Sequence, residues 1–395
     1  MSGDAELIPL LRLQLTSRIG AVTYRKLANV FGSAEGALAA PRDRLLEVPG
    51  IGPETAAAIV ESRSDSAERA AKEAERAEGL GIRLVPCTAP DYPRPLRSIY
   101  DPPLVLYVRG EYAPGDELAV GIVGARRCSY YGRSTAETLA GALCRSGFTV
   151  ASGLARGIDS AAHRGALDAG GRTIAVLGNG LGAVYPPENE KLAEEIAASG
   201  AIFSEFAIDA KPDRGNFPRR NRIISALSLG IVVVEGNERS GALITARWAG
   251  EQGREVFAVP GKIDSPLARG PHRLIKDGAK LVESVDDILE ELGPIADGLQ
   301  TAEAVAEEGD ASEGEGGAGD ADLAGRLAER LTGAEREIYE LLSTDPVSVD
   351  DLIYSSERPP AEVSSALMLL EIKRFCRQLP GKRFVRTNPT GLQDV

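Results

Sequence analysis

Short apolar runs alternate with helical stretches between residues 86 and 290. The runs typical of buried strands are Leu118–Val123, Thr149–Ser152, Thr173–Leu177, Ala201–Phe203, Ile231–Glu235 and Glu255–Val259. Each run is followed by glycine, proline or a polar turn, and strands that alternate with helices in this way form a parallel sheet covered on both faces. Because ligands of such sheets bind at the carboxyl ends of the strands, the residues after these runs are the first candidates for a site.

The first 84 residues are predicted to form a helical domain. Gly50 and Gly52 lie in a turn between two of its helices, and this turn is similar to a helix-hairpin-helix. In that motif the amides of the turn approach the phosphates of duplex DNA without reading the bases. The alternative is a plain glycine turn that joins two helices.

Residues 331–395 are predicted to fold as a small winged helix, with three helices and then a hairpin around Pro380-Gly381. The helices are expected near Glu335–Leu342, Val349–Tyr354 and Ala361–Ile372. The hairpin region is basic, and its cations form either a solvated face or a secondary contact with DNA or a protein partner. The cations singled out are Lys373, Arg374, Lys382 and Arg383.

The net charge of −13 is concentrated in one part of the chain. Residues 281–325 hold fourteen acids and no Lys or Arg, and without that −14 the chain carries +1. The rest of the protein can therefore present a basic surface. Residues 292–330 are predicted to be an acidic, flexible linker. This linker is either a solvated spacer or a tethered polyanion that competes with a nucleic acid for the arginines.

Composition places the chain among ordinary globular proteins, with 43% apolar residues. No run approaches the 18 or more apolar residues of a membrane span, and the N-terminus lacks the form of a signal peptide, so we expect a cytoplasmic protein. The four cysteines are scattered without CxxC spacing. Neither a disulfide framework nor a metal site is therefore expected.

The segment Phe217–Arg222 packs an aromatic ring, three arginines and an amide into six residues. Arginine matches phosphate oxygens, an aromatic face can stack on a base, and nothing in the segment can act as an acid or base. Not all three arginines can face one ligand. A helix through the segment places Arg219 and Arg222 on one face, and Arg220 is expected in an intrachain salt bridge. Phe217 either stacks on a base or packs into the core.

A glycine-rich turn, Ser152–Asp159, enters a helix and can offer backbone amides to an anion. We expect amides of this turn and of Asn179 and Gly180 to complete a phosphate cradle with Arg126 and Arg156. The predicted binding residues are Gly124, Arg126, Ser152, Gly153, Arg156, Asn179, Gly180, Phe217, Arg219, Arg220, Asn221 and Arg222.

Candidate catalysts are few. Asp159 and His163, four residues apart, form either an acid–base pair or a structural pair in which Asp159 holds the loop and His163 packs beneath it. Glu235 is either an acid or base or a partner of the amides of the Ser240-Gly241 turn. The chain has no GxxxxGK[ST] loop and its first strand is not followed by GxGxxG. We therefore predict binding without catalysis and no cofactor.

Several motifs of the sequence occur in the same order as in a known family. They are Gly124–Arg126, Ser152–Asp159 with Ala162-His163, Thr173–Gly178, Tyr185-Pro186, Ser204-Glu205, Phe217–Arg222, Val232–Glu235, Ser240–Ala246 and Gly253–Gly261. The series resembles the bacterial DNA-processing protein A family (DprA, also called Smf). The resemblance implies an extended Rossmann-like parallel sheet core with an N-terminal helical (SAM or helix-hairpin-helix-like) domain and a C-terminal winged helix. The implied domains are residues 1–84, 85–291 and 331–395, with the linker at 292–330.

The same resemblance implies a function. The protein is expected to be a homodimeric, cytoplasmic recombination mediator of natural transformation and competence, and not an enzyme. It would bind and protect incoming single-stranded DNA, work beside single-stranded-DNA-binding protein and load the RecA recombinase. One alternative is a nucleotide-processing enzyme, similar to a phosphoribohydrolase, that uses Glu235 or Asp159 in the same cleft. Another is a structural partner of recombination proteins, whose arginines only build salt bridges.

Overall fold

The computed structural model describes residues 2–293, 331, 333–343, 346–372, 375–379 and 383–386. The chain divides into two compact units. The first comprises Met1–Ala249 and Arg254–Glu283, and the second comprises Gly250–Gly253 and Ser284–Val395. None of the described helices combines the length and apolar character needed to cross a membrane.

Six helices open the first unit and confirm the predicted helical N-terminal region: α1 Ser2–Gln14, α2 Ala21–Phe31, α3 Ala34–Ala39, α4 Arg42–Leu46, α5 Pro53–Ser62 and α6 Ser66–Gly79. Leu27, Leu45 and Ile59 form a small core among them. Residues of α1 and α6 instead share a core with the central sheet. The boundary near residue 84 stays a prediction.

A nine-stranded sheet forms the centre of the described first unit. Its strands are β1 Arg83–Pro86, β2 Val105–Gly110, β3 Ala119–Val123, β4 Thr149–Ser152, β5 Thr173–Val176, β6 Ala201–Ser204, β7 Gly230–Val233, β8 Glu255–Ala258 and β9 Lys280–Leu281. The spatial order is β1-β2-β6-β5-β4-β3-β7-β8-β9. All six predicted strands are present, within one or two residues of their predicted ends.

The six predicted strands run parallel as expected, and two further strands, β1 and β2, make the sheet mixed. The strands from β6 to β9 run parallel, whereas β2 pairs antiparallel with both β1 and β6. The strands β1 and β2 precede the alternating part of the chain, and no long helix connects them as a parallel crossover requires. They cover the edge of β6 and remove an exposed row of backbone groups.

Helices cover both faces of the sheet. They are α7 Arg94–Arg97, α8 Tyr130–Arg145, α9 Ile158–Asp168, α10 Glu190–Ser199, α11 Asn216–Leu227, α12 Gly241–Glu251 and α13 Arg269–Lys276, with short 3₁₀ turns at Pro114–Glu117 and Pro187–Asn189. The chain moves outward from β3 to β6 and then returns to β7 on the other side of β3. The strand order therefore reverses between β3 and β7, and such a reversal opens a crevice at the carboxyl ends of the strands.

The described part of the second unit confirms the predicted winged helix. It contains helices α14 Gly333–Leu341, α15 Val349–Ser356 and α16 Pro360–Ile372, with strands β10 Val347–Ser348, β11 Cys376–Leu379 and β12 Arg383–Arg386. The strands form an antiparallel sheet in the order β10-β12-β11. Ile338, Leu352, Leu367, Phe375 and Phe384 are in its core. The predicted turn at Pro380-Gly381 and residues 294–330 of the predicted linker lie outside the described residues.

The helices α8 and α9 approach each other at glycines. A Cβ atom added at Gly165 of α9 would overlap the backbone carbonyl of Glu137 on α8, and one added at Gly141 would lie 3.2 Å from the carbonyl oxygen of Gly165. The absence of side chains lets the two backbones meet. This close crossing packs α9 on α8, and the first turn of α9 meets the loop after β3 through the Ile158 amide, which donates to the Ala125 carbonyl oxygen.

We predict that Gly165→Ala lowers the free energy of unfolding by about 1–3 kcal/mol, since the added methyl group has no room. This loss exceeds the roughly 1 kcal/mol that alanine gains over glycine in helix propensity. Gly79→Ala in α6 is the matched control, because nothing lies within 4 Å of its added Cβ. Urea unfolding followed by circular dichroism measures both. A Gly165→Ala variant as stable as Gly79→Ala would contradict the close crossing.

Candidate functional site

The loops after β3, β4 and β7 meet at the carboxyl edge of the sheet and line a cleft of about 370 Å³. The first turns of α11 and α12 complete its walls, and we call this space the cleft. Residues that line it include Arg126, Phe217, Arg220, Asn221, Ser240 and Ile244. A smaller recess beside it brings in Gly153, Arg156, Gly178 and Tyr185. The cleft thus gathers residues that are distant in the sequence, as the strand pattern predicts.

Arg220 lies in the floor of the cleft and is 4% exposed. Its Nη1 donates to the carbonyl oxygen of Gly153 at 2.7 Å and also to that of Val176, and its Nε donates to Asn221 Oδ1 at 3.1 Å. Burial lowers the pKa of Arg220 to about 10, although the nearby Asp159 carboxylate opposes the change. The guanidinium stays charged at neutral pH and ties the ends of β4 and β5 together.

Arg222 lies outside the cleft, in a buried ion-pair network. Its Nη2 is 2.6 Å from Glu205 Oε2 and its Nε is 2.9 Å from Asp101 Oδ2, and its side chain is 6% exposed. Arg219 is on the same face of α11, 3.6 Å from Glu205, but its side chain is 61% exposed. The predicted sharing of a helix face by Arg219 and Arg222 is confirmed.

Two expectations about these arginines are corrected. The intrachain salt bridge predicted for Arg220 is formed by Arg222, because the acids lie beside the Arg222 face of α11. Arg222 is also too buried to meet a ligand in the cleft. Burial raises the pKa of Asp101, although the Arg222 charge opposes the change.

Phe217 forms part of the cleft wall, and Arg126 lies over it. The Arg126 guanidinium carbon is 4.8 Å from the centroid of the Phe217 ring, and the Tyr185 ring centroid is 6.0 Å away. A Cβ at Gly178 would lie 2.7 Å from Phe217 Cδ1, so glycine makes room for the ring. Phe217 is half-buried between cleft and core. Its stacking on a base stays a prediction.

The amides of the glycine-rich turn bind a carboxylate of the same chain, that of Asp159. Asp159 Oδ2 accepts from the Ala155 amide at 3.4 Å, and the backbone of Gly153 also hydrogen-bonds this carboxylate. Burial raises the pKa of Asp159, while Arg220 and the amides favour its charged form. The Ile158 amide donates to Ala125 O at 3.2 Å. The prediction that Asp159 holds the loop is confirmed.

The expected cradle of free backbone amides is therefore wrong at Gly153 and Gly180. The Gly180 amide donates to Ala210 O at 2.9 Å, and Asn179 Nδ2 donates to Gly180 O and Ala183 O. Ser152 is fully buried, and its hydroxyl donates to Ile122 O at 2.6 Å. Gly153 is buried beside Arg220. The amides of Gly153 and Gly180 are thus used within the fold, and the side chains of Ser152 and Asn179 bond to backbone carbonyl oxygens.

His163 is buried and neutral. Thr173 Oγ1 donates to Val150 O, so it accepts from His163 Nδ1 at 2.7 Å, which places the ring proton on Nδ1. Nε2 has no hydrogen-bond partner within the described chain. Burial lowers the pKa of His163 to about 3. The prediction that His163 packs in the core is confirmed.

Glu235 is held by a different partner from the one expected. Its Oε2 accepts from the Ser129 amide at 2.8 Å and its Oε1 accepts from the Ser129 hydroxyl at 2.5 Å. The expected partner was the Ser240-Gly241 turn. The correction follows from topology, because β7 pairs with β3 and its end meets the loop after β3. Ser129 also caps α8 by accepting from the Gly132 amide.

The other predicted binding and secondary-contact residues lie in different parts of the structure. Gly124 allows close packing, since a Cβ there would lie 2.6 Å from Ile158 Cγ1, and Asn221 Nδ2 donates to Gly241 O at 3.2 Å. Gly50 adopts a positive φ of 82° beside Lys26, and Gly52 precedes α5. Arg383 is exposed at the start of β12. The predicted contacts Lys373, Arg374 and Lys382 lie outside the described residues.

The structure adds arginines that the sequence reasoning missed. A second depression of about 380 Å³ lies between α8, α9 and the loop after β3. Arg127, Arg133 and Arg164 line it together with Arg126 and Arg156. We call it the arginine depression. None of the three new arginines was singled out from a motif, and only the packing of α8 on α9 brings Arg133 near Arg164.

Comparisons with known proteins agree with this architecture. The family model for DNA recombination-mediator protein A matches residues 83–293, the DprA winged helix domain matches residues 323–382, and the SAM-like helix-hairpin-helix tandem matches residues 10–65. Protein Smf of Synechocystis is 37% identical over 383 residues, which cover 93% of this chain and 96% of that protein. DNA processing protein DprA of Bacillus subtilis is 47% identical over 213 residues, covering 54% and 72%.

A solved structure is also similar. The X-ray structure of DNA processing protein A from Streptococcus pneumoniae has a TM-score of 0.62 and 34% sequence identity. The match covers 71% of this chain and 95% of that chain.

The burial of His163 predicts a dependence of stability on pH. Its pKa of about 3 in the folded chain lies below the ordinary value of about 6.5, so the unfolded chain takes up the proton first as the pH falls. Stability is therefore full above about pH 6.5 and falls by about 1.4 kcal/mol per pH unit below it. Urea unfolding between pH 7.5 and 5.0 should show a shallower loss for His163→Asn. The control His272→Asn removes the other histidine of the sequence. Equal slopes in all three proteins would contradict the buried, neutral ring.

Proposed function

This chain belongs to the DNA recombination-mediator protein A (DprA/Smf) family, and on that premise we propose that its cleft binds single-stranded DNA. The observation that carries the proposal is the layer formed by Arg126 over Phe217 at the carboxyl edge of the sheet. A guanidinium and an aromatic ring in contact offer one group for a phosphate and one for a base. Among the described residues, no carboxylate lies within ion-pair distance of Arg126.

The shape of the cleft favours a single strand over a duplex. The ligand-facing groups stand on separate loops around a narrow space of about 370 Å³. Such isolated groups suit splayed bases and a bent backbone, whereas a duplex requires a helix or ribbon that fits a groove. The helix α11 presents Phe217 to the cleft and buries Arg220 and Arg222, so it offers no row of cations to a groove.

A role without catalysis is part of the proposal. The three candidate acids and bases all have internal tasks: Asp159 holds the glycine turn, Glu235 holds Ser129, and His163 is buried with a lowered pKa. A general acid or base must reach the substrate within hydrogen-bond distance. These contacts weigh against the nucleotide-processing alternative, which requires Asp159 or Glu235 to be free.

The wider role we propose is that of a recombination mediator in natural transformation. The protein would protect incoming single strands, work beside single-stranded-DNA-binding protein and load the RecA recombinase, acting as a homodimer through the Rossmann-like unit. Family membership supports this role. The exposed cations of the cleft support its first step, since a mediator must hold the strand that it hands on.

We predict that Arg126→Ala weakens binding of fluorescein-labelled oligo-dT and flattens its salt dependence. Loss of one phosphate contact should reduce the slope of log affinity against log salt by roughly 0.7 for single strands. Fluorescence anisotropy across a salt series measures both quantities. The matched control is Arg145→Ala, which removes an exposed arginine at the far end of α8.

Equal binding by Arg126→Ala, Arg145→Ala and the wild type would place the DNA elsewhere and contradict the proposal. Absence of oligo-dT binding by the wild type would also contradict it. In that case the cleft would hold a smaller ligand, and the nucleotide-processing alternative would become the better account.

A further inference from the structure

The arginine depression is a cationic surface that the cleft does not explain. It lies between α8 and α9 and measures about 380 Å³. Arg126 lines both spaces, and Arg156 lines both the depression and the small recess beside Phe217. The two spaces therefore adjoin, and a linear polymer that leaves the cleft at Arg126 enters the arginine depression directly.

The depression carries a large uncompensated charge. Five arginines line it, against one acid, Glu137. Of the five, Arg156 contacts Glu188. For Arg126, Arg127, Arg133 and Arg164, no carboxylate lies within 4 Å in the described part of the chain. Cations that gather in a concave surface focus a positive field and attract an anionic ligand.

Some exposed arginines elsewhere lie beside acids, as in Arg69–Asp65, Arg83–Asp91 and Arg273–Asp277. The buried Arg222 also pairs with acids, Glu205 and Asp101. Arg133 and Arg164 are exposed and have no such structural task. Their guanidinium groups are available to a ligand.

An exposed aromatic side chain near Arg133 on α8 favours a nucleic acid over a small anion. Tyr130, the first residue of α8, is 87% exposed. It precedes Arg133 by three residues, so the two side chains lie on one face of the helix. A ring beside several cations matches a strand that alternates bases with phosphates, whereas inorganic phosphate would use the cations alone.

We propose that a single DNA strand leaving the cleft continues across the arginine depression, where Arg133 and Arg164 bind its phosphates. This inference rests on the proposed function, because it assumes that the strand begins in the cleft. It extends the binding site from the strand ends of the sheet to the outer surface of α8 and α9. Short oligonucleotides then use the cleft alone, and longer ones use both surfaces.

The test compares two lengths of labelled oligo-dT, about 5 and about 15 nucleotides, within the roughly 4–16 nucleotides typical of such sites. The variants are Arg133→Ala, Arg164→Ala and the double variant, with Arg126→Ala as reference and Arg145→Ala as control. On the longer strand, the double variant should flatten the salt slope by roughly 1.4, or 0.7 for each contact. On the shorter strand it should bind as the wild type does. Thermal unfolding of each variant checks that these exposed substitutions leave the fold intact.

The outcomes separate the two proposals. If the double variant matches Arg145→Ala on the longer strand while Arg126→Ala binds weakly, the extended path is overturned and the cleft remains the binding site. If the double variant weakens both lengths equally, the depression belongs to the primary site and the extended path is again overturned. If Arg126→Ala also binds both lengths like the wild type, the proposed function itself fails.

Discussion

The buried charge of Arg220 is the constraint on which the site depends. A guanidinium in a dry interior must be surrounded by acceptors, and here the carbonyl oxygens of Gly153 and Val176 and the Oδ1 atom of Asn221 supply them, while the charge of the nearby Asp159 carboxylate favours the charged guanidinium. These interactions hold the ends of β4 and β5 together. The Asp159 carboxylate in turn takes up amides of the glycine turn, which leaves the exposed side chains above to meet a ligand.

The arginines of this region fall into two groups, buried ones that stabilise the fold and exposed ones that can meet a ligand. Arg220 and Arg222 are buried and bonded within the chain: Arg220 lies in the floor of the cleft, and Arg222 holds an ion-pair network outside it. Arg126, Arg133 and Arg164 are exposed and line concave surfaces. A chain with a net charge of −13 can therefore present a basic surface to DNA, because its acids are concentrated in other parts of the sequence.

Periodicity and turn residues were sufficient to predict the strands β3 to β8 and the winged helix, since both depend on local patterns. The antiparallel strands β1 and β2 were missed because no local sequence pattern indicates that β2 pairs with β6 and β1 with β2. The partners of Glu235 and Arg222 and the gathering of Arg133 with Arg164 depend on which elements become neighbours. The amide cradle was mispredicted for a related reason. The Asp159 carboxylate accepts hydrogen bonds from the Gly153 and Ala155 amides of the glycine-rich turn, and this contact is visible only in the folded structure.

The most direct test of the account is an arginine-selective footprint of the intact protein. Phenylglyoxal would modify exposed arginines with and without a saturating oligo-dT, and mass spectrometry would quantify each site. We expect the strand to protect Arg126, Arg127, Arg133 and Arg164, while Arg145 and Arg69 react equally in both samples. Protection confined to arginines outside the cleft and the arginine depression, or equal reactivity at Arg126 in both samples, would contradict the claim that this edge of the sheet holds the DNA.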